Sequence, residues 1–290
     1  MNFKLLLQNP LLTSHNYRAI NCTYIQKTLN SFFSLPKISS KPFIFSCFAL
    51  SVDGRLCYPD LKSGFTIANK NFRANYNEQY ADWWCLSLAR TISDAVIIGS
   101  NSLLYEEYNY QAKLDINELI ISRQKLNKPK NLLHILISRN ISKINLDMEL
   151  ICQDADTPLL IYTNNLPDNL PDNFSQSELK NLSLAPLKQV ITTSGKLDIS
   201  KLITKLHTLG INTILNESPY YHHQLQQLRL LDETWLNTSG VYIGGNVATL
   251  GQYNPSFSSI NHPHYSILSV HHIAFNFLYT RYKIEYTNAT

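Results

Sequence analysis

At 290 residues, 44% of them hydrophobic, the chain has apolar material for one large packed domain or two small ones. A formal net charge of +4, from 25 Lys and Arg against 21 Asp and Glu scattered without a dense basic block, argues against a large phosphate footprint and so against nucleic acid as a partner. The five cysteines, Cys22, Cys47, Cys57, Cys85 and Cys152, are odd in number and lack C-x-x-C spacing. They suggest neither a disulfide framework nor a zinc ribbon, and fit a reducing cytoplasm.

In chain order, Leu5-Leu6-Leu7 is interrupted by Gln8-Asn9-Pro10 before a signal-peptide core can form. No run approaches the roughly 20 apolar residues that span a bilayer, so no membrane association is expected. Residues 1–40, with Pro10, Pro36 and a polar end, read as an extension of low organisation carrying one helix over 17–33. From Phe43 the pattern changes. Apolar, β-rich runs at 43–50, 94–99, 132–138, 158–163 and 211–216 alternate with helix-like segments near 70–93, 198–209 and 220–230. That alternation predicts a mainly parallel sheet covered on both faces. The β-rich stretches beginning "DETWLN" and "SILSVHHIAFNF" lack a crossover helix and predict antiparallel strands at the sheet edge. Residues 164–185, rich in turn formers, read as a surface loop. One domain over 41–290 is the economical organisation.

Several short motifs admit a functional and a plain reading. The first strand breaks at Ser51-Val52-Asp53-Gly54, a hairpin signal or a carboxylate delivered to a strand end. Gly99-Ser100-Asn101-Ser102 follows a buried strand and is a turn or a ligand loop. Helix 70–93 carries Trp83 and Trp84, read as core. Its Arg90 either complements the helix C-terminus or forms a fork for an anion. Glu217-Ser218-Pro219 ends a strand and opens a helix through an ordinary Ser cap and Pro start, yet a helix N-terminus is also an anion site. The pairs His222-His223 and His271-His272 have no completing ligands nearby, so no metal is expected. Walker, G-x-G-x-x-G and G-x-S-x-G motifs are missing from the sequence.

Taken together, "FALSVDGRL", "SGFTIAN", "LARTISDAVIIGSNSLLYEE", "LLHILISRN", "GINTILNESP", "LLDETWLNTSGVYIGG" and "FNFLYTRYKI" resemble, in that order over about 40–285, the pyrimidine reductase family of riboflavin biosynthesis. The resemblance implies a dihydrofolate-reductase-like α/β/α fold with a mixed, mostly parallel sheet. It also implies NADPH-dependent reduction of a ribosylaminopyrimidine, a cytoplasmic homodimer, and hydride transfer to the imine carbon of the ring-opened ribosyl group in a dry cleft. By position it places Leu50, Asp53, Thr66, Gly99, Ser102, Glu106, Ser138, Ser218, Pro219 and Gly244 at the cofactor. Arg90, Lys113 and Glu217 fall to the substrate, with Glu217 and Asp53 as the catalytic pair, and changing Glu217 to Gln is expected to abolish turnover with the fold intact.

The sequence departs from the family in two loops. Glu217-Ser218-Pro219 lacks the glycines that let backbone amides approach a pyrophosphate, and Pro219 removes a donor. Gly-Ser-Asn-Ser replaces a Gly-Ala-Gly-Thr-like loop. A non-catalytic or retargeted relative that only binds a ligand or partner therefore stands beside the reductase reading.

Overall fold

The computed structural model describes residues 3–100, 103, 112–141, 156–166, 170–185, 187–252, 255–274 and 276–287. Its strands are β1 (Lys4–Gln8), β2 (Tyr17–Ala19), β3 (Ser34–Pro36), β4 (Phe43–Ser51), β5 (Ala95–Gly99), β6 (Leu133–Ser138), β7 (Leu159–Thr163), β8 (Ser175–Ser177), β9 (Lys188–Thr192), β10 (Thr213–Asn216), β11 (Glu233–Ser239), β12 (Pro263–Ala274) and β13 (Phe277–Tyr286). The helices are α1 (Thr23–Leu29), α2 (Thr66–Asn69), α3 (Tyr76–Ile92), α4 (Asn117–Lys125), α5 (Ile199–Thr208) and α6 (Pro219–Gln227).

One sheet runs β1-β12-β13-β11-β4-β10-β5-β6-β7-β9-β8. From β11 to β8 every neighbouring pair is parallel, and β13, β12 and β1 extend the other side antiparallel. Alternation along the parallel strands feeds two cores. Phe43, Phe45, Cys47, Val96 and Ile98 pack with Trp84, Cys85 and Leu88 of α3 on one face. Ile44, Ala95, Ile97 and Ile135 pack with Leu202, Leu206, Tyr221 and Leu225 of α5 and α6 on the other. Strands buried on both faces read as continuous apolar runs, which is why they stand out in the sequence. The result is the three-layer α/β/α arrangement with antiparallel strands at one end.

Four expectations need correction. The segment before Phe43 is built into the fold. β1 pairs antiparallel with β12, with Lys4 opposite His272, and β2 and β3 form a small sheet flanking α1 instead of one helix over 17–33. Phe3 packs against Trp84 (5.2 Å), Tyr279 (6.1 Å) and His271 (6.2 Å). The same segment covers a buried ion pair. Arg281 Nη2 lies 2.8 Å from Glu233 Oε2, and its guanidinium lies over the Phe33 and Trp235 rings at 4.9 and 5.0 Å. Ser34 O accepts a further bond from Arg281, at 3.1 Å.

The helix expected over 70–93 begins only at Tyr76. Asn75 forms a capping box, accepting from Glu78 N at 3.1 Å while its own N–H reaches Glu78 Oε2 at 2.7 Å. At the other end Arg123 Nη1 donates to the carbonyls of Arg90, Thr91 and Ser93, supplying the donors a helix end needs.

β11 is an interior strand, parallel to β4 and antiparallel to β13, rather than an antiparallel edge. Asp53-Gly54 is likewise no β4 hairpin, because both sides of β4 are occupied by parallel neighbours.

Candidate functional site

The second half of β4, at Cys47, Phe48 and Ala49, and the turn after β10, at Glu217 and Ser218, open on a cleft of about 460 Å³. Its apolar walls come from Phe48, Leu56, Phe65 and Leu86. Glu217, Ser218, Pro219, Asp82 and Lys62 bring polar groups or helix ends to it. Ligands of open α/β sheets bind outside the carboxyl ends of the strands, and a mainly apolar cleft with few polar groups is the common form of a small-molecule site.

Glu217 follows β10, and its N–H donates to Ile97 O of β5 at 3.0 Å. α3 packs on β4 and β10, which brings Arg90 to Glu217. The two form a fork: Arg90 Nε to Glu217 Oε1 and Nη2 to Oε2, both at 2.8 Å, with side chains 1% and 6% exposed. Arg90 Nη1 donates to Lys113 O at 3.3 Å, and the guanidinium lies 5.2 Å from the Trp83 ring. Trp83 in turn packs 5.1 Å from Phe65, which lines the cleft. Arg90 is therefore sealed behind Glu217 and acts through it. Lys113 joins this cluster by its backbone carbonyl, and its side chain is exposed.

Ser218 caps α6, with its hydroxyl accepting from Tyr221 N at 3.4 Å. A Cβ at Gly99 would stand 2.6 Å from Ser218 Oγ, so glycine is required there by the serine cap. The buried amide of Asn216 holds this turn. It accepts from Ser218 N (3.2 Å) and donates to Ser218 O (3.0 Å) and Ser46 Oγ (2.9 Å). His222 closes the network, Nδ1 to Ser46 Oγ at 3.0 Å, and burial lowers its pKa to about 3.

The other expected site residues have local structural partners. Asp53 accepts from Ser51 Oγ (2.6 Å), Gly244 N (2.8 Å) and Ile243 N (3.2 Å), and these bonds, Ser51 first, hold it well below the usual carboxylate range. It ties the turn after β4 to the 241–245 loop, where Gly244 adopts φ +70°. Leu50 packs with Phe48 and Leu56. Thr66 opens α2, its hydroxyl donating to Ser63 O at 2.7 Å. Ser138 Oγ accepts from Asn140 N at 3.3 Å. Of the expected residues, the structure thus gathers Glu217, Ser218 and Pro219 on the cleft, with Arg90 and Lys113 behind them, and does not bring Leu50, Asp53, Thr66, Gly99, Ser138 or Gly244 to its lining. Ser102 and Glu106 lie outside the described residues.

Sequence reasoning passed over Asp82, Cys47, Lys62, Asn246, Val247, Ala248, Thr249 and Gln252, all lining the cleft. Asp82 left a signal. It occupies the same helical column as Cys85, Ala89 and Ile92, and a carboxyl on a buried stripe is uncommon. Burial pushes it up to about 6, while the Asn237 amide bonded to it acts in the opposite direction. The Cys47 thiol is pushed up by burial and then by the nearby Asp82 and Glu217. The histidines bond Ser46, Pro255 O, Ser258 O and Ser31 through His222, His223, His262 and His271. Among the described residues no cluster of three His, Cys, Asp or Glu side chains could hold a metal, and no helix is long and apolar enough to cross a membrane.

Sheet order, covered faces and a cleft at the strand ends define an enzyme-type α/β fold. Residues 42–270 match the family described as the RibD C-terminal domain, and the chain belongs to that family, the pyrimidine reductases of riboflavin biosynthesis, which are oxidoreductases. No curated protein matches the chain.

Among solved structures, a pyrimidine reductase-like protein from Corynebacterium diphtheriae is similar at 19% identity and a TM-score of 0.61, over 84% of this chain and 92% of that one. RibD of Acinetobacter baumannii is similar at 16% identity and 0.57, over 85% of this chain and 59% of that one. The riboflavin biosynthesis reductase Rib7 of Saccharomyces cerevisiae is similar at 12% identity and 0.54, over 87% and 93%. These structures share the dihydrofolate-reductase-like fold.

Proposed function

We propose that the protein is a reductase that uses NADPH to reduce a phosphorylated ribosylaminopyrimidine to its ribityl form. The observation that carries this reading is the buried Glu217–Arg90 fork facing a cleft of about 460 Å³. Phe48, Leu56, Phe65 and Leu86 supply apolar walls of the kind a nicotinamide and a pyrimidine ring pack against. The cofactor supplies the hydride. The chain's own residues bind, orient and exclude water. Glu217, fixed by Arg90, presents an acceptor of set direction to a substrate hydroxyl or N–H. Lys62, on the cleft wall, brings positive charge for a phosphate. The same reading takes the working molecule to be a cytoplasmic homodimer, which sedimentation velocity tests.

A second reading, a ligand-binding relative without hydride transfer, draws on the start of α6. Pro219 has no N–H and the Tyr221 N–H is bonded to Ser218 Oγ, so the turn offers a pyrophosphate fewer amide donors than a glycine loop.

Cofactor titration separates the two readings. Trp84 and Trp235 are fully buried, whereas Trp83 is half-buried and packs on the cleft residue Phe65. Quenching of tryptophan fluorescence at micromolar NADPH, weaker for NADH and lost in Trp83→Phe, supports the reductase. No quenching and no calorimetric heat at millimolar cofactor overturns it and leaves the binding relative.

A further inference from the structure

The cleft holds two carboxyls in contrasting surroundings. Glu217 faces a guanidinium through two bonds of 2.8 Å. Asp82 is buried on α3, and its hydrogen-bond donor is the neutral side-chain amide of Asn237 on β11. The titratable groups around it are the Cys47 thiol of β4, the Cys85 thiol of its own helix, and the Glu217–Arg90 pair beyond. Burial pushes both thiols up, so they remain neutral, and among the described residues Asp82 forms no ion pair. One carboxylate held by a cation beside one carboxyl with only a neutral partner is the arrangement that separates a fixed anion from a proton donor.

We propose that Asp82 is the proton donor of the reduction. This rests on the reductase reading above. As the imine carbon of the ring-opened substrate accepts the hydride supplied by the reduced nicotinamide, which leaves oxidised, the π pair of the C=N bond moves to nitrogen. There it forms an N–H bond with the proton of Asp82. Asp82 is left as a carboxylate that accepts from Asn237, and water at the cleft mouth returns its proton. The carboxyl pushed up to about 6 by burial retains a protonated population near neutral pH, which an exposed Asp would not.

The test joins a direct titration to kinetics. Carbon-13 carboxyl NMR of Asp-labelled protein should show a resonance titrating near pH 6 that is missing from Asp82→Asn. In NADPH oxidation with a phosphoribosylaminopyrimidine, Asp82→Asn should lower kcat about 100-fold or more, with KM and cofactor affinity within about threefold of wild type. Wild-type kcat should fall above the limb near pH 6, and the Asp82→Asn profile should be flat. Asn237→Leu should move the limb upward, because the amide bond favours the charged form. If Asp82→Asn does not fold by circular dichroism, Asp82→Glu takes its place and should keep an acid limb at reduced kcat. Wild-type kcat and limb in Asp82→Asn, or a limb missing from Asp82→Glu, overturn the assignment and leave the reductase standing. A wild-type protein that binds no cofactor overturns the reductase reading and Asp82's role with it.

Discussion

Glu217 and Arg90 are coupled too tightly for either to be changed alone. Removing one partner of a buried pair leaves the other charge uncompensated and typically costs about 3–5 kcal/mol. Glu217→Gln is therefore expected to lose stability of about that size together with turnover, measured by urea unfolding and NADPH oxidation. This revises the expectation that the fold would be indifferent. The double replacement Arg90→Met with Glu217→Leu should recover most of the stability and none of the turnover, since apolar residues of similar volume fill the site without a desolvated charge. Both residues were legible in the sequence as candidates. Their mutual bonding was not, because 127 positions separate them and no local spacing encodes that contact.

At the scale of elements, the N-terminal strand shows what packing can do with a short, unremarkable segment. β1 pairs with β12 across the length of the chain, and Phe3 is buried among Trp84, His271 and Tyr279. Phe3→Ala should cost about 3–5 kcal/mol by loss of burial and an unfilled cavity, read from the urea midpoint. Deleting residues 3–8 would also uncover the β12 edge, and light scattering should report self-association. The turn after β4 carries its own pH signature. Asp53 is held below its usual range in the folded state, so its contribution is present above about pH 4, the unfolded value, and is lost as pH falls. The gap in Tm between wild type and Asp53→Asn should accordingly narrow as the pH drops from 6 to 3. The central strands were legible because burial on both faces makes them continuous apolar runs. The extension was not, since its periodicity is short and its partners lie at the other end of the chain.

Across the whole molecule, buried histidines set an acid limit on stability. Burial lowers His222 to about 3 and His271 to about 4, so the unfolded chain, with values near 6.5, binds more protons as pH falls. Their stabilising contribution is complete above about pH 6.5 and is lost progressively below it. Asp82 works in the opposite sense, because its folded value is raised and it favours the fold as pH falls through about 6. Comparison with His222→Gln isolates one histidine. Wild type should lose stability relative to that variant by up to about 1.4 kcal/mol per pH unit from 6.5 towards 4, measured as Tm against pH.

The sequence by itself determined the alternation of strands and helices, the family, and Glu217 at a strand end, because each is written in local periodicity or in ordered motifs. Tertiary structure decided that Arg90 is bonded to Glu217 and that Gly99 makes room for Ser218. It also decided that Asp53 fastens two loops and that Asp82 lies on the cleft. Those outcomes depend on which side chains meet when distant elements pack, and on how much water the packing removes from each charged group, neither of which local spacing specifies.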